Sequence, residues 1–306
     1  MKILVTGGAG FIASHIVDAY LNLGHEVVII DNLSTGVKHN LNPDAKFYYE
    51  DINSVLIDKI FKDEKFDLIN HHAAQIDVRI SVDNPAFDAQ TNIVGSLNLY
   101  EAAKKYNVKK IIFASTGGAI YGEQDYFPAD EEHPTKPCSP YGIAKLANEK
   151  YLYYYQTVHG IDYVIFRYGN VYGPRQNPYG EAGVVAIFIH KMLNGKQPII
   201  YGDGKNTRDY IYVEDVVTAN ILAVNENVSG IFNIGTGIEH DVNYVFNTLK
   251  QLTSSNVAKK HGEAKKGEQR RSVISYNKIK QLHNWEPKYS FEEGLKLTVE
   301  YFKSNK

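Results

Sequence analysis

The N-terminal segment constrains the fold most, because it joins two apolar runs through a glycine-rich turn and a helical pattern. Residues 2–6 read KILVT, residues 6–15 read TGGAGFIASH, and Gly24 stops the helical pattern before the run EVVII at 26–30. Short apolar runs that end at glycines are typical of buried parallel strands. A glycine just after the last periodic residue is a helix stop signal. The segment therefore predicts a strand–turn–helix–strand unit.

The same alternation continues through the first half of the chain. Further strands are predicted at 47–50, 66–69, 110–114 and 161–166, and helices at 53–61, 84–106 and 140–159. Strand–helix alternation predicts an α/β fold with a Rossmann-type, doubly wound parallel sheet.

Glycine and proline interrupt the pattern after about residue 167, which indicates a second domain. We expect residues 1–166 to form the first domain. Residues 210–235, interpreted as a helix and a strand, would return to it. Residues 167–209 and 236–306 would form a smaller, interleaved domain.

The glycine turn fits two spacings of a dinucleotide-binding motif. Gly8, Gly10 and Ala13 fit G-x-G-x-x-G/A, whereas Gly7, Gly10 and Ala13 fit a wider form. The free N–H groups and the dipole of a helix N-terminus favour a pyrophosphate. Asp31 ends the second predicted strand, where an acidic side chain binds ribose hydroxyls and repels a 2′-phosphate. These residues predict NAD as cofactor; the alternative for Asp31 is a turn-forming role in DNLSTG.

Tyr141 and Lys145 form a YxxxK pair in the sequence SPYGIAK. At i and i+4 they share one face of a helix. A neighbouring ammonium favours phenolate and lowers the pKa of a tyrosine, which would make Tyr141 a general base. Ser115 and Thr116 end a predicted strand, at the sheet edge where ligands bind in such folds. A surface pair is the alternative for an isolated YxxxK.

Composition excludes several classes of protein. The formal net charge is −2, which argues against nucleic acid as partner, and a single cysteine excludes an internal disulfide framework. No apolar stretch is long enough for a membrane helix, so we expect a soluble, cytoplasmic protein. The basic run Ala258–Arg271 lacks interleaved aromatic residues and is interpreted as a loop for an anionic ligand or a solvated loop. His71 and His72 are adjacent on a predicted strand and point to opposite faces, so no metal site is expected.

Taken together, the motifs of the chain resemble those of the UDP-glucose 4-epimerases of the extended short-chain dehydrogenase/reductases. The resemblance extends over nearly the whole chain and rests on TGGAGFIASH, DNLSTG, HHAAQIDV, TNIVGS, FASTGGAIYG, SPYGIAK, RYGNVYGPRQNP, IIYGDGKNTRDYIYVEDV, GEQRRSVISYNK and HNWEP. It implies that the wider glycine spacing is used. It also implies a homodimer, joined through the helices predicted at Asn84–Tyr106 and Pro140–His159.

The resemblance implies roles for individual residues. NAD would be bound by Gly7, Gly10, Phe11, Ile12, Asp31, Asn32, Ser34, Thr35, Gly36, Asp51, Ile52, Ala73, Ala74, Gln75, Asn92, Tyr141, Lys145 and Tyr168. A UDP-sugar would be bound by Thr116, Tyr141, Asn170, Val184, Val185, Tyr201, Arg208, Arg270 and Ser272. Thr116 would be the catalytic hydroxyl, with Ser115 as the second choice.

The resemblance further implies the chemistry. Sugar-nucleotide 4,6-dehydratases carry an Asp–Glu pair after the catalytic threonine, whereas here Gly117, Gly118 and Ala119 follow it. We expect reversible oxidation at C4 with tightly bound NAD, interconverting UDP-glucose and UDP-galactose. A small Ser272, where some relatives carry tyrosine, predicts that UDP-GlcNAc and UDP-GalNAc are accepted too. A UDP-glucuronate 4-epimerase or decarboxylase, and more remotely a non-catalytic NAD-binding module, are the alternatives.

Overall fold

The computed structural model describes residues 1–179, 183–225, 227–264 and 269–305. The strands are β1 (Lys2–Thr6), β2 (Glu26–Asp31), β3 (Lys46–Tyr49), β4 (Leu68–His71), β5 (Lys110–Thr116), β6 (Asp162–Tyr168), β7 (Asn170–Tyr172), β8 (Ile200–Tyr201), β9 (Thr207–Tyr212), β10 (Gly230–Ile234), β11 (Glu239–Asp241), β12 (His261–Gly262) and β13 (Arg271–Ser272).

The helices are α1 (Phe11–Asn22), α2 (Leu56–Glu64), α3 (Val78–Asp83), α4 (Pro85–Ala89), α5 (Gly95–Lys105), α6 (Gly117–Ile120), α7 (Pro140–His159), α8 (Val184–Leu193), α9 (Val213–Ala223), α10 (Val242–Leu252), α11 (Asn277–His283) and α12 (Phe291–Ser304). A 3-10 turn covers Lys38–Asn40, and a π-helical turn at Gln90–Val94 joins α4 to α5. Within the described ranges every helix is too short or too polar to cross a membrane.

Seven strands form the main sheet in the order β10-β6-β5-β4-β1-β2-β3. β1 pairs in parallel with β2 and with β4, β2 with β3, and β4 with β5. The strand order reverses at β1 and β4, which is where open α/β sheets bind ligands at their carboxyl ends. The predicted doubly wound α/β fold is confirmed.

Helices cover both faces of this sheet, which explains its apolar strands. Residues 3–5 of β1 and 27–30 of β2 are almost completely buried. Polar contacts tie α9 to the same core: Asn70 Nδ2 donates to Tyr20 Oη at 2.8 Å and to Asn220 Oδ1 at 2.9 Å. These hydrogen bonds fix α9 to α1 and to strand β4 of the main sheet.

Two helical predictions need correction. The helix predicted at 84–106 is divided into α4, the π-helical turn and α5, and the short helix α3 before it was missed. Residues 210–212, predicted as helical, belong to strand β9. The sequence TRDYIY carries three β-favouring residue types, and β9 pairs with β7, β11 and β13. By contrast, the helix predicted at 140–159 is α7.

The chain divides into two compact units. The first comprises Met1–Ile120, Thr135–Arg167 and Val217–Phe232, and the second comprises Tyr121–Pro134, Tyr168–Val216 and the chain after Phe232. The sequence-based division differs by assigning 121–134, 210–216 and 233–235 to the first domain and residue 167 to the second. Residue 129 forms a bridge with Ile274, which explains why the segment 121–134 belongs with the second unit.

The second unit contains a small sheet and a cluster of aromatic side chains. β9 lies at its centre, antiparallel to β11 and parallel to β7 and β13. Tyr172 packs edge-on against Phe291 with ring centroids 5.4 Å apart, and its hydroxyl donates to the Phe291 carbonyl at 3.0 Å. This packing fixes β7 against α12 within the unit.

Candidate active site

The glycine turn after β1 is built for close backbone approach. Gly7 has φ +72°, and a Cβ there would lie 2.8 Å from the backbone nitrogen of Ala73. At Gly8 a Cβ would lie 2.7 Å from the Ile29 side chain. Gly10 is the N-cap of α1, and no side chain of the described residues caps that helix. Ala13 is buried, so its methyl group fits at this contact.

Asp31 connects the end of β2 to the glycine turn. Its Oδ2 accepts from Ala9 N at 3.0 Å, and its Oδ1 accepts from Leu33 N at 2.7 Å. Burial raises the pKa of Asp31, and these two amides only partly offset the effect. A Cβ at Gly36 would lie 3.0 Å from both carboxylate oxygens, so the loop after β2 closes over the carboxylate.

The other residues expected to bind the cofactor follow the carboxyl ends of the neighbouring strands. Phe11 and Ile12 open α1; Asn32, Ser34 and Thr35 are exposed after β2; Asp51 and Ile52 follow β3; Ala73, Ala74 and Gln75 are partly buried after β4. Asn32 Nδ2 donates to Asp51 Oδ2 at 2.6 Å, which links the ends of β2 and β3. Tyr168 is buried and belongs to the second unit.

These residues fit a dinucleotide. A helix N-terminus without a side-chain cap offers its N–H groups to a pyrophosphate, and the glycines leave no side chain in the way. The carboxylate of Asp31 lies one strand away, as the ribose requires.

Helix α7 carries the predicted catalytic pair. Ser139 caps it, accepting from Gly142 N at 3.2 Å, and Pro140 occupies the first turn. Lys145 is buried, and its Nζ donates to the Ala114 carbonyl at 2.8 Å. The same nitrogen lies 5.8 Å from the centroid of the Tyr141 ring. The two side chains therefore share one face, at the end of β5.

The protein's own groups favour the neutral phenol at Tyr141. Burial, and then the negative charge of Asp88, raise its pKa, contrary to the lowering expected from the sequence. Burial lowers the pKa of Lys145 to about 8, and the charge of Asp88 opposes that change. Desolvation disfavours the charged form of both groups. The lowering of the Tyr141 pKa that the sequence predicts from Lys145 is therefore not found in the protein alone.

The two candidate hydroxyls at the end of β5 differ in their surroundings. Ser115 Oγ donates to Glu149 Oε1 at 2.7 Å and is buried. Glu149 also accepts from Arg167, through Nε at 3.0 Å and Nη2 at 2.6 Å. Thr116 is only partly buried, and the glycine-rich α6 follows it. Ser115 thus belongs to a buried ion-pair cluster.

His71 is held as a neutral structural residue. Thr6 Oγ1 accepts from His72 N at 3.2 Å and Ala73 N at 3.1 Å, so its own proton goes to His71 Nδ1 at 2.7 Å. His71 Nε2 then donates to Ser96 Oγ at 2.9 Å. Burial lowers the pKa of His71 well below its usual value. The described residues contain no group of three or more side chains that could hold a metal ion.

The second unit carries the residues expected to bind the substrate. Asn170 and Tyr201 are exposed, Val184 is partly buried and Val185 is buried at the start of α8, and Ser272 is buried in β13. Ser272 pairs with Arg208 in the parallel register of β13 and β9. Residues 265–268 of the basic run lie outside the described residues.

The candidate arginines differ in their partners. Arg208 is partly exposed and donates through Nη1 to the Thr207 carbonyl at 2.8 Å. Arg270 is exposed and forms a two-pronged ion pair with Asp203 at 2.8 and 2.9 Å. Arg208 shares no such ion pair with a carboxylate in the structure as described. The more available guanidinium is therefore that of Arg208.

Three buried polar residues near the pair were missed in the sequence. Glu149 lies four residues after Lys145, which places it on the same helix face, and it pairs with Arg167. Asp88 lies four residues before Asn92 and accepts from its Nδ2 at 2.9 Å. An acidic residue at helical spacing from a predicted site residue was the available signal.

A family model for the NAD dependent epimerase/dehydratase family matches residues 3–235. The chain belongs to this family. Among solved structures, it is similar to a UDP-glucose 4-epimerase from Thermotoga maritima with UDP-glucose: 51% identity, 100% of this chain, 99% of that one and a TM-score of 0.98.

Two further structures of the family are similar over almost the full length. The Thermus thermophilus UDP-glucose 4-epimerase in complex with NAD shares 43% identity, over 99% of each chain, with a TM-score of 0.94. A UDP-N-acetylglucosamine 4-epimerase from Methanobrevibacter ruminantium in complex with UDP-N-acetylmuramic acid shares 38% identity, over 100% of this chain and 99% of that one, with a TM-score of 0.94.

Proposed function

We propose that the chain is an NAD-dependent UDP-hexose 4-epimerase that interconverts UDP-glucose and UDP-galactose. One observation carries the proposal: Lys145 Nζ lies 5.8 Å from the centroid of the Tyr141 ring and donates to the Ala114 carbonyl of β5, the strand that ends at Thr116, in the unit that holds the glycine turn. The segment 117–120 after Thr116 supplies no second acid or base for elimination. The similarity to two UDP-glucose 4-epimerases supports the same reaction.

Side chains of this protein remove the proton of the sugar 4-hydroxyl group and return it. The glycine turn, Asp31 and Lys145 would hold NAD, which supplies the hydride acceptor and donor at C4. Tyr141 takes the proton of the 4-hydroxyl oxygen and later returns it, acting as general base and then general acid. Thr116 donates a hydrogen bond to the same oxygen. Lys145 provides the positive charge that favours the phenolate form of Tyr141.

We propose that the second unit binds the UDP moiety of the substrate. Arg208 would contact the diphosphate with its planar fork, and Asn170 would contact it through its amide. Arg208 precedes Asp209, whose buried carboxylate accepts from Thr236 N at 2.9 Å and Gly237 N at 3.1 Å. These bonds fix the backbone next to Arg208 and support its assignment over the exposed Arg270.

We also propose that N-acetylated substrates are accepted. Ser272 is a small side chain beside Arg208 in the strand register, which leaves less bulk at the position than a tyrosine would. The similarity to a UDP-N-acetylglucosamine 4-epimerase supports this extension.

We propose a homodimer formed through the outer faces of α4 and α7. The exposed apolar residues on these helices and the turn between α4 and α5 are Phe87, Val94, Ile143, Tyr151, Tyr153, Tyr154 and Val158. On α7, the residues at 143, 151, 154 and 158 have helical spacing and share one side of the helix, whereas Tyr153 lies off that side. The free, exposed thiol of Cys138 suits a cytoplasmic protein, which is the location we propose.

A panel of UDP-sugars tests the activity. The purified protein is incubated without added NAD with UDP-galactose, UDP-GalNAc and UDP-glucuronate in turn, and the products are separated by chromatography. We expect the 4-epimers of the first two. Turnover of UDP-glucuronate alone, to its epimer or to a decarboxylated sugar, would favour the alternative functions.

A further inference from the structure

Asp88 is a buried carboxylate beside the catalytic helix with no assigned role. It lies in α4 and is 1% exposed. Its Oδ1 accepts from Gln75 Nε2 and from Asn92 Nδ2, each at 2.9 Å. Its Oδ2 is buried and has no hydrogen-bond partner in the structure as described. Leaving one oxygen of a buried carboxylate without a hydrogen bond costs free energy, which points to a functional role for Asp88.

The carboxylate is held rigidly relative to α7. Asn92 Oδ1 accepts from Gln75 N, and Asn92 Nδ2 also donates to the Gln75 carbonyl, both at 2.8 Å. Asn148 on α7 donates through Nδ2 to the Asn92 carbonyl at 2.6 Å and to the Ala144 carbonyl at 2.9 Å. Helix α4 itself packs against α7. The position of Asp88 is therefore fixed against the helix of Tyr141 and Lys145.

The other ionisable groups packed around Lys145 carry little net charge. His71 and His72, at the end of β4, are neutral, because burial lowers the pKa of His71 well below its usual value and that of His72 to about 3. The negative charge of Glu149 of α7 is balanced by the positive charge of Arg167 of β6, with which it forms a bidentate ion pair.

Among these groups of the described residues, Asp88 on α4 carries a negative charge without a paired cation; burial raises its pKa, and Gln75, Lys145 and Asn92 oppose that change. That charge raises the pKa of Lys145 against the effect of burial and raises the pKa of Tyr141 as well.

We propose that Asp88 is a positioning residue whose buried charge holds Lys145 as an ammonium ion and sets the pH range in which Tyr141 exchanges protons. This inference rests on the proposed epimerase function. The side-chain amides of Gln75 and Asn92 orient the carboxylate through their hydrogen bonds to it. Asn92 also binds the backbone of Gln75, in the segment after β4.

The test compares the pH profile of kcat/KM for UDP-galactose in the wild type and in Asp88→Asn, both as purified with bound NAD. Removing the negative charge lowers the pKa of both Tyr141 and Lys145, so both limbs of the profile should move to lower pH by about one unit. Asp88→Glu should restore much of the wild-type profile. Asp83→Asn removes the same charge from an exposed site on α3 and should leave the profile in place.

A second readout does not depend on activity. In protein labelled with ε-13C lysine, NMR titration follows the Lys145 signal, assigned with Lys145→Ala. We expect the Lys145 pKa to fall by about one unit in Asp88→Asn. A lower rate at every pH with unmoved limbs, or an unchanged Lys145 titration, would overturn the inference. Absence of any epimerisation by the wild type would overturn the proposed function instead, whatever the titration shows.

Discussion

Ser115 Oγ donates a hydrogen bond of 2.7 Å to Glu149 Oε1, which directs the hydroxyl into a buried cluster with Arg167. The next residue, Thr116, is the last of β5 and stays partly exposed. Adjacent strand residues point to opposite faces, so only one of the two hydroxyls can serve the substrate. The contact with Glu149 leaves Thr116 as the hydroxyl we assign to catalysis.

Thr116→Val should lower kcat by roughly 10²-fold, because it removes a hydrogen bond to the reacting oxygen without changing the shape of the side chain. Ser115→Ala, the matched control, should lower the free energy of unfolding by about 1 kcal/mol and change kcat only slightly. Steady-state kinetics and urea unfolding measure both effects. If Ser115→Ala lost the activity and Thr116→Val kept it, the assignment would be reversed.

Arg208→Ala should raise KM for UDP-galactose by about 10- to 100-fold, because a charged hydrogen bond to phosphate is worth about 1.5–3 kcal/mol. Arg270→Ala should change KM far less, since Arg270 is exposed and already paired with Asp203 at 2.8 Å. Arg208→Lys keeps the charge but loses the fork and should lie between the two. An equal or larger effect of Arg270→Ala would contradict the assignment of the diphosphate to Arg208.

Ser272→Tyr should abolish turnover of UDP-GalNAc and spare UDP-galactose, because the ring would fill the space that an acetamido group needs. Ser272 is 3% exposed, so Ser272→Ala controls for the loss of the hydroxyl alone and should keep both activities. The ratio of kcat/KM for the two sugars is the measurement. A parallel loss of both activities in Ser272→Tyr would point to misfolding of β13 and remove the specificity role.

Glu64 provides a pH-dependent contribution to stability far from the site. Burial alone would raise its pKa, but hydrogen bonds from Lys2, Lys46 and Tyr48 outweigh that and lower it to about 2. A group whose pKa is depressed by folding stabilises the protein above its unfolded pKa, and that stabilisation is lost as the pH falls through the folded value.

Glu64→Gln should therefore lower the free energy of unfolding by on the order of 2 kcal/mol at pH 7. The difference from the wild type should shrink between about pH 5 and pH 2. Thermal or urea unfolding at several pH values measures this difference. Asp63→Asn is the control: it removes the exposed ion pair of Asp63 with Lys59 and should have only a small effect. A difference independent of pH would show that packing, rather than charge, is responsible.

The parallel sheet was predictable because its strands are apolar runs bounded by glycine and alternate with amphipathic helices. The second unit was less predictable, since its strands are two to six residues long and pair across large sequence separations. Residues 210–212 were therefore interpreted as helical, although the aromatic residues pack as a strand. Short strands depend on tertiary pairing rather than on local pattern.

At the site, motif spacing identified residues but not their electrostatic surroundings. Tyr141 and Lys145 were brought together as predicted by helical periodicity. The raised pKa of Tyr141 was not predictable, because it results from burial and from Asp88, which arrives through the packing of α4 on α7. The resemblance implied Thr116 rather than Ser115, but the physical reason for that choice, the contact of Ser115 with Glu149, is one that only the fold supplies.

The most direct test of the proposed chemistry follows the hydrogen at C4. UDP-galactose carrying deuterium at C4 is incubated with the protein without added NAD, and the UDP-glucose formed is analysed by mass spectrometry and NMR. Transient oxidation at C4 predicts that the deuterium stays at C4 of the product. Tyr141→Phe should keep its bound NAD and lose at least about 10²-fold in rate. Exchange of the deuterium with solvent, or full activity in Tyr141→Phe, would contradict the proposed mechanism.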